Sequence, residues 1–292
     1  MAAIAGLMFL PRLPFAALTL AFALPFAVWS TQHEIDRLVP TKGSSTRGLT
    51  APPDHVLNWV DTALPAGARA AMVPFPQSPE FALNAVFWWD LEFWNKTVSQ
   101  TYVGENGDFT YAPFPDGTLA PDWQTGRVAN TATAPPFVIL ADNDPRVGLS
   151  GQRHAVNFGL SVLLVDRPYR AVWMTRGLDV DGWTLPKRPV SIRVYSQRNT
   201  AEVASVRVVL GAPATRPAAY ALDGRTGHIA PGQFADETRD VCVPSHSYAQ
   251  LRLRGLSKTS ISVAPTSFDA FGTRLVGVRV GSVKADFSGK PC

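Results

Sequence analysis

Three tryptophans and two carboxylates fall within seven residues, Trp88 to Trp94, of the segment Phe87-Trp88-Trp89-Asp90-Leu91-Glu92-Phe93-Trp94-Asn95. Flat indole faces beside carboxylates can hold a sugar ring or the head group of a polyprenyl phosphate: the ring face stacks and the acid takes hydroxyl protons. On a helix, Asp90 and Trp94 share a face, as do Leu91 and Trp94. Trp94 falls on the apolar stripe between Leu91 and Val98, whereas Trp89 lies off it, beside Asp90. Trp89, Asp90 and Glu92 are therefore the candidate carbohydrate or lipid-head-group contacts. The competing reading is packing, with an aromatic helix face against a sheet and both acids solvated. Glycoside hydrolysis would need two carboxylates converging across a cleft, which this spacing alone does not supply.

A second feature is Tyr169-Arg170-Ala171-Val172-Trp173 followed by Gly177-Leu178-Asp179-Val180-Asp181-Gly182-Trp183. The Asp-Val-Asp-Gly-Trp turn could take calcium or a sugar, but it lacks the further ligands and terminal Glu of an EF-hand loop. A plain strand-to-strand turn is the alternative. Nucleophile elbows, HExxH, CxxC, Walker and dinucleotide-binding motifs are all missing from the sequence. His33, His55, His154, His228 and His246 have no metal-ligand spacing. No catalytic residue, metal or cofactor is assigned. The net charge of +4 is spread without a basic stripe, which argues against a nucleic-acid partner.

The elements that must position these residues begin with a membrane anchor. Leu13–Trp29 carries no charge across 17 residues, the short end of a bilayer span, with Trp29 placed for the interface. A cleaved signal peptide is the main rival, but there is no basic leading segment and no small-x-small site. Met1–Leu10 is also apolar and too short to span, so residues 1–38 read as the end of one apolar segment plus one transmembrane helix. Residues 39–53 read as a Pro/Gly/Ser linker. From Asp54, a helix N-cap, a helix carries Val56, Leu57, Trp59, Val60 and Leu64 on one face and ends at Pro65-Ala66-Gly67. Ala68–Phe75 and Pro136–Ala141 read as strands, and Ala82–Thr101 reads as a second helix. The segment 54–156 is thus expected to be a small α/β layer.

From residue 157 the apolar pattern alternates with period two through eight segments separated by Gly, Pro and Asp. Segment 157–292 therefore reads as an antiparallel, jelly-roll-like β-sandwich, and the whole chain as α+β. Two cysteines, Cys242 and Cys292, are present. As a disulfide they would tie the C-terminal segment to the sheet and, through closure of ~50 residues, contribute roughly 4 kcal/mol. That requires an oxidising compartment; two free thiols remain the alternative.

The final hydrophobic helix, HVLNWVDTALPAGARAAMVPF, FWWDLEFWNKTV, PFVILADNDPRVGLSG, PYRAVWMTRGLDVDGW and the tail with the two cysteines together resemble the C-terminal region of a bacterial GT-C-class membrane glycosyltransferase, one that uses polyprenyl-phosphate sugars. The resemblance covers nearly the whole chain. It implies a cell-membrane protein, single-pass here, with its bulk outside the cytoplasm. It also implies a glycan or polyprenyl-phosphate-sugar partner and a separate multi-span catalytic bundle. The family's catalytic acid lies in an early extracytoplasmic loop that this chain lacks, so the chain is expected to bind glycan acceptor or support such a bundle, and not to transfer sugar alone. A free-standing cell-envelope binding or structural protein is the alternative. A hydrolase returns to consideration if the fold joins two carboxylates in one cleft.

Overall fold

The computed structural model describes residues 58–73, 91, 95–104, 116–141, 144–157, 159–179, 182–186, 188–263 and 272–292. Helix α1 (Trp59–Ala63) presents Trp59 and Val60 to the interior and Asp61 in its first turn. No side chain at its own N-terminus caps it. Asn95 does so from across the fold: its Oδ1 accepts from the amides of Val60 and Asp61 at 2.9 and 3.2 Å, and its Nδ2 donates to the Leu91 carbonyl at 2.8 Å. The buried Asn95 thereby meets two of the amides that every helix start leaves unpaired. Pro65 and Gly67, at φ +77°, then turn the chain out of the helix.

The second expected helix does not reach Thr101. Leu91 is helical, but Lys96 and Thr97 form a turn and Val98–Gly104 is strand β2. Asp61 is one cause of the break. Its carboxylate accepts from the amides of Lys96 at 3.0 Å and Thr97 at 2.9 Å, and from the Thr97 hydroxyl, so those amides leave the helical ladder. Burial opposes ionisation of Asp61, but the bonds from Thr97 and Lys96 outweigh it and hold the carboxyl below its ordinary range. The β-branched Thr97, Val98, Thr101 and Val103 also favour a strand. Leu91 and Val98 still enter one apolar cluster with Trp59 and Val60.

Sheet I has the order β3-β2-β1-β4-β7-β6. β1 (Ala70–Met72), β2, β3 (Gly117–Leu119) and β4 (Phe137–Ala141) are mutually parallel. The chain then leaves the sheet as β5 (Val147–Leu149) and returns as the antiparallel hairpin β6 (Gly151–Asn157) and β7 (Leu160–Val165). The unbroken apolar run of β4 follows from burial on both faces. Phe137, Ile139 and Ala141 pack towards α1, while Val138 and Leu140 pack on the opposite side. Sheet I takes strands from both sides of residue 157.

The remaining strands are β8 (Ala171–Arg176), β9 (Val190–Tyr195), β10 (Glu202–Gly211), β11 (Ala218–Leu222), β12 (Arg225–Ile229), β13 (Phe234–Val243), β14 (Tyr248–Gly255), β15 (Thr259–Val263), β16 (Gly272–Val276) and β17 (Arg279–Pro291). Sheet II runs β12-β11-β14-β9-β8-β5 and sheet III runs β13-β10-β17, both antiparallel throughout. β15 and β16 form a separate hairpin. Sheets II and III close on one core as a β-sandwich. β10 contributes Ala204, Val206, Val208 and Leu210, β9 contributes Val190, Ile192 and Val194, and β14 contributes Leu251 and Leu253. The other face of sheet II, with Met174 and Tyr195, packs on sheet I through Val138, Leu140 and Val165. The layers therefore run α1, sheet I, sheet II, sheet III.

Cys242 on β13 is bonded to Cys292, with the Cα atoms 5.7 Å apart. β13 and β17 flank β10 on opposite sides, so the bond joins the two outer strands of sheet III at the start of β10. Among the described residues no helix is long and apolar enough to cross a membrane. The Leu13–Trp29 segment and the 39–53 linker lie outside the described residues.

Candidate functional site in the cleft between the sheets

A cleft of about 250 Å³ opens where the outermost strands of sheets II and III meet sheet I. β5 and β17 supply its two edges, and β4, β6 and β7 supply residues of its wall. That volume lies under the ~300–1,000 Å³ usual for drug-sized ligands, so it suits one ring-sized group. Trp173 on β8 forms part of the lining and is held against Gly148 on β5. A Cβ at residue 148 would sit 2.2 Å from the indole Nε1, so only glycine allows this approach. The register shift between Gly148 and Leu149 accompanies the same contact.

Asp144 is the chemically distinctive wall residue. It lies three residues past the end of β4, and its amide donates to the Ala141 carbonyl at 3.2 Å. Only 3% of the residue is exposed. Oδ1 accepts from the Arg146 amide at 2.8 Å, while Oδ2 is buried with no hydrogen-bond partner. Burial drives the carboxyl up to about 6, against the pull of the Arg146 charge and its amide. Arg153, Lys284 and Asp286 complete the charged lining. Two carboxylates, two cations and an indole suit a neutral polyol: the cations donate to ring and hydroxyl oxygens, and the acids accept hydroxyl protons.

Trp89, Asp90 and Glu92, with Trp88 and Trp94, lie outside the described residues. In the Asp-Val-Asp-Gly-Trp turn, the Asp179 amide donates to the Trp183 carbonyl at 2.9 Å and Gly182 adopts φ +83°. The Asp179 carboxylate is ion-paired with Arg274. That turn is thus a closed strand connection whose described acid is already engaged; Asp181 lies outside the described residues. His154 bonds to the Ala63 carbonyl and His246 to the Asn199 side chain, so the described histidines do not converge. Among the described residues no group of three or more His, Cys, Asp or Glu could hold a metal ion.

Sequence reasoning missed Asp144, Arg153, Lys284 and Asp286. The available signal for Asp144 was an Asp-Asn-Asp-Pro turn set directly after a wholly apolar strand. Arg153, Lys284 and Asp286 sit on edge strands with no local signal of their own.

No family model and no curated protein matches the chain. Solved structures give weak likenesses. A family 35 carbohydrate-binding module from an environmental isolate is 12% identical, with 59% of this chain and 98% of that one covered at a TM-score of 0.22. The cycloalternan-forming enzyme of Listeria monocytogenes is 10% identical over 53% of this chain and 20% of that one, at a TM-score of 0.20. A cycloisomaltooligosaccharide glucanotransferase of Paenibacillus sp. is 7% identical over 78% of this chain and 26% of that one, at a TM-score of 0.20. Likenesses at these scores carry no argument about what this chain binds.

Proposed function

We propose that the chain is an extracytoplasmic glycan-binding module, tethered to a membrane by Leu13–Trp29, that seats one sugar residue in the cleft beside Trp173 and Asp144. It belongs with, or derives from, a GT-C-type glycosyltransferase, and it holds acceptor glycan or supports a multi-span bundle without transferring sugar itself. The observation that carries the binding function is the buried Oδ2 of Asp144, which lacks a donor in a cleft also lined by an indole and two cations. A buried acceptor left unpaired is costly, and a ligand hydroxyl that reaches it through a shift of the surrounding side chains relieves that cost. The Cys242–Cys292 bond supports an oxidising compartment and hence the outward orientation.

The test is saturation-transfer NMR on the purified chain with short arabinose and mannose oligosaccharides. Transfer to one sugar series is expected, and Asp144→Ala and Lys284→Ala should each abolish or weaken it. No transfer with either series, or binding indifferent to both substitutions, refutes the cleft as a glycan site.

One observation favours a second reading. Asp144 and Asp286 line the same cleft, and burial raises the Asp144 carboxyl to about 6, so it keeps its proton closer to neutral pH than an ordinary acid. Glycoside hydrolysis predicts cleavage of end-labelled oligosaccharide that both Asp144→Asn and Asp286→Asn remove. Binding without cleavage leaves the module reading.

A further inference from the structure

Arg193 lies on the face of sheet II opposite the sandwich core, with Met174 of β8 and Gln250 of β14 as its direct cross-strand neighbours. Only 8% of it is exposed. Its guanidinium carbon sits 4.5 Å from the Trp123 ring centroid and 3.7 Å from that of Tyr248. Nε donates to the Gln250 Oε1 at 3.0 Å. Nη1 donates to the Trp123 carbonyl at 2.6 Å and to the Gln124 Oε1 at 3.1 Å. These partners are all neutral. Among the described residues, Nη2 makes no hydrogen bond and no carboxylate lies within ion-pairing distance of Arg193.

A guanidinium removed from water is ordinarily matched by an acid, because an unpaired buried charge is costly. Two aromatic rings offset part of that cost and limit approach over the guanidinium planes, leaving the in-plane edge at Nη2. With Nε and Nη1 already donating, the Nη2 hydrogens are left to donate to a ligand oxygen, a charge-assisted bond that favours an anion. A second cation, Arg176, lies 4.7 Å from the same Trp123 ring. The acid in this region, Asp122, is committed to its own turn: Oδ1 accepts from the Gln124 and Thr125 amides and the Thr125 hydroxyl. Those bonds position the 121–128 loop that carries Trp123, and the Tyr195 hydroxyl fixes it further by donating to the Trp123 carbonyl at 2.8 Å.

We propose that the edge of Arg193 at Nη2, framed by Trp123 and Tyr248, is a binding site for a single ligand oxyanion, a carboxylate or a phosphate. It shares no residue with the cleft, and it does not depend on the glycan reading of that cleft. The bland alternative is that Arg193 only fastens the 121–128 loop to the sheet.

Titration calorimetry of the purified chain with glucuronate, inorganic phosphate and glucose separates these. Glucuronate, phosphate or both should bind in a manner weakened by added salt, and glucose should give no response that depends on Arg193. A response to glucuronate alone assigns a carboxylate, to phosphate alone a phosphate, and to both a general oxyanion. Gln124→Glu places a carboxylate on Nη1 from within the chain. It should weaken anion binding by at least about tenfold while keeping the fold and raising the melting temperature. Gln124→Ala, which removes the amide without adding charge, should retain binding. Absence of any anion response, or a Gln124→Glu chain that is folded and binds anions as well as the parent, overturns the proposal.

Discussion

Replacing Asp144 with Asn should stabilise the fold at neutral pH and do so in a pH-dependent way. The carboxyl is raised by burial from an ordinary 3.8 to about 6. An acid raised in the folded state holds its proton in the fold at a pH where the unfolded chain has lost it. Its contribution is therefore most favourable below about 3.8 and is lost as pH rises through 6. At 1.36 kcal/mol for each tenfold change in proton affinity, the ionised side chain costs about 3 kcal/mol at pH 7 relative to acid. Asparagine keeps the acceptor for the Arg146 amide and carries no charge. Urea melts of parent and variant should then differ by up to about 3 kcal/mol at pH 7.5 and converge near pH 4. Comparing the two chains at each pH cancels the titration of every other carboxyl. A variant equally destabilised at both pH values would refute the reasoning, because it would mean that the residue is structural and its burial compensated. The same substitution should weaken sugar binding in the cleft, so the residue trades stability for a ligand contact.

Three further outcomes are expected. Cys242→Ser should lower stability by about 4 kcal/mol, since the bond closes a loop across a sequence separation of 50, and intact mass without reductant should show the two-hydrogen deficit of the parent. Gly148→Ala should force Trp173 out of its place, at a cost of about 1–3 kcal/mol in thermal melts together with loss of cleft binding; unchanged stability and binding would mean that the strand edge yields freely. A reporter active only outside the cytoplasm, fused after Cys292, should be active, and activity of a cytoplasm-only reporter at the same place would reverse the orientation.

The strands were legible where burial is one-sided or continuous. β10 alternates buried and less buried residues from Glu202 to Leu210, and β4 is apolar throughout, so period and composition reveal each. The hairpin β11–β12 was not read, because Ala-Ala-Tyr-Ala-Leu and Arg-Thr-Gly-His-Ile carry little pattern. Its signal was Asp223-Gly224, whose φ values of +49° and +83° are those of a tight hairpin turn. Val98 was misplaced because seven residues after Leu91 is also helical spacing, and the two meet one cluster through different elements. The cleft was illegible for a different reason. Asp144, Arg153, Trp173 and Asp286 come from separate segments that only the stacking of three sheets brings together, and no local spacing records that.

The position of β10 between β13 and β17 orders the steps of assembly. Ala204 to Leu210 pair on one side with residues 235–241 and on the other with residues 280–287, the latter 70 (280 − 210) to 83 (287 − 204) positions along the chain. Until residues 279–291 have emerged from the ribosome, β10 has one open edge and the sandwich core lacks Val280 and Val283. Such distant pairings close slowly. During synthesis the module is therefore an unfinished sheet with an exposed apolar face. The Cys242–Cys292 bond joins the two strands that flank β10, so its closure in the fold holds both edges of β10 covered.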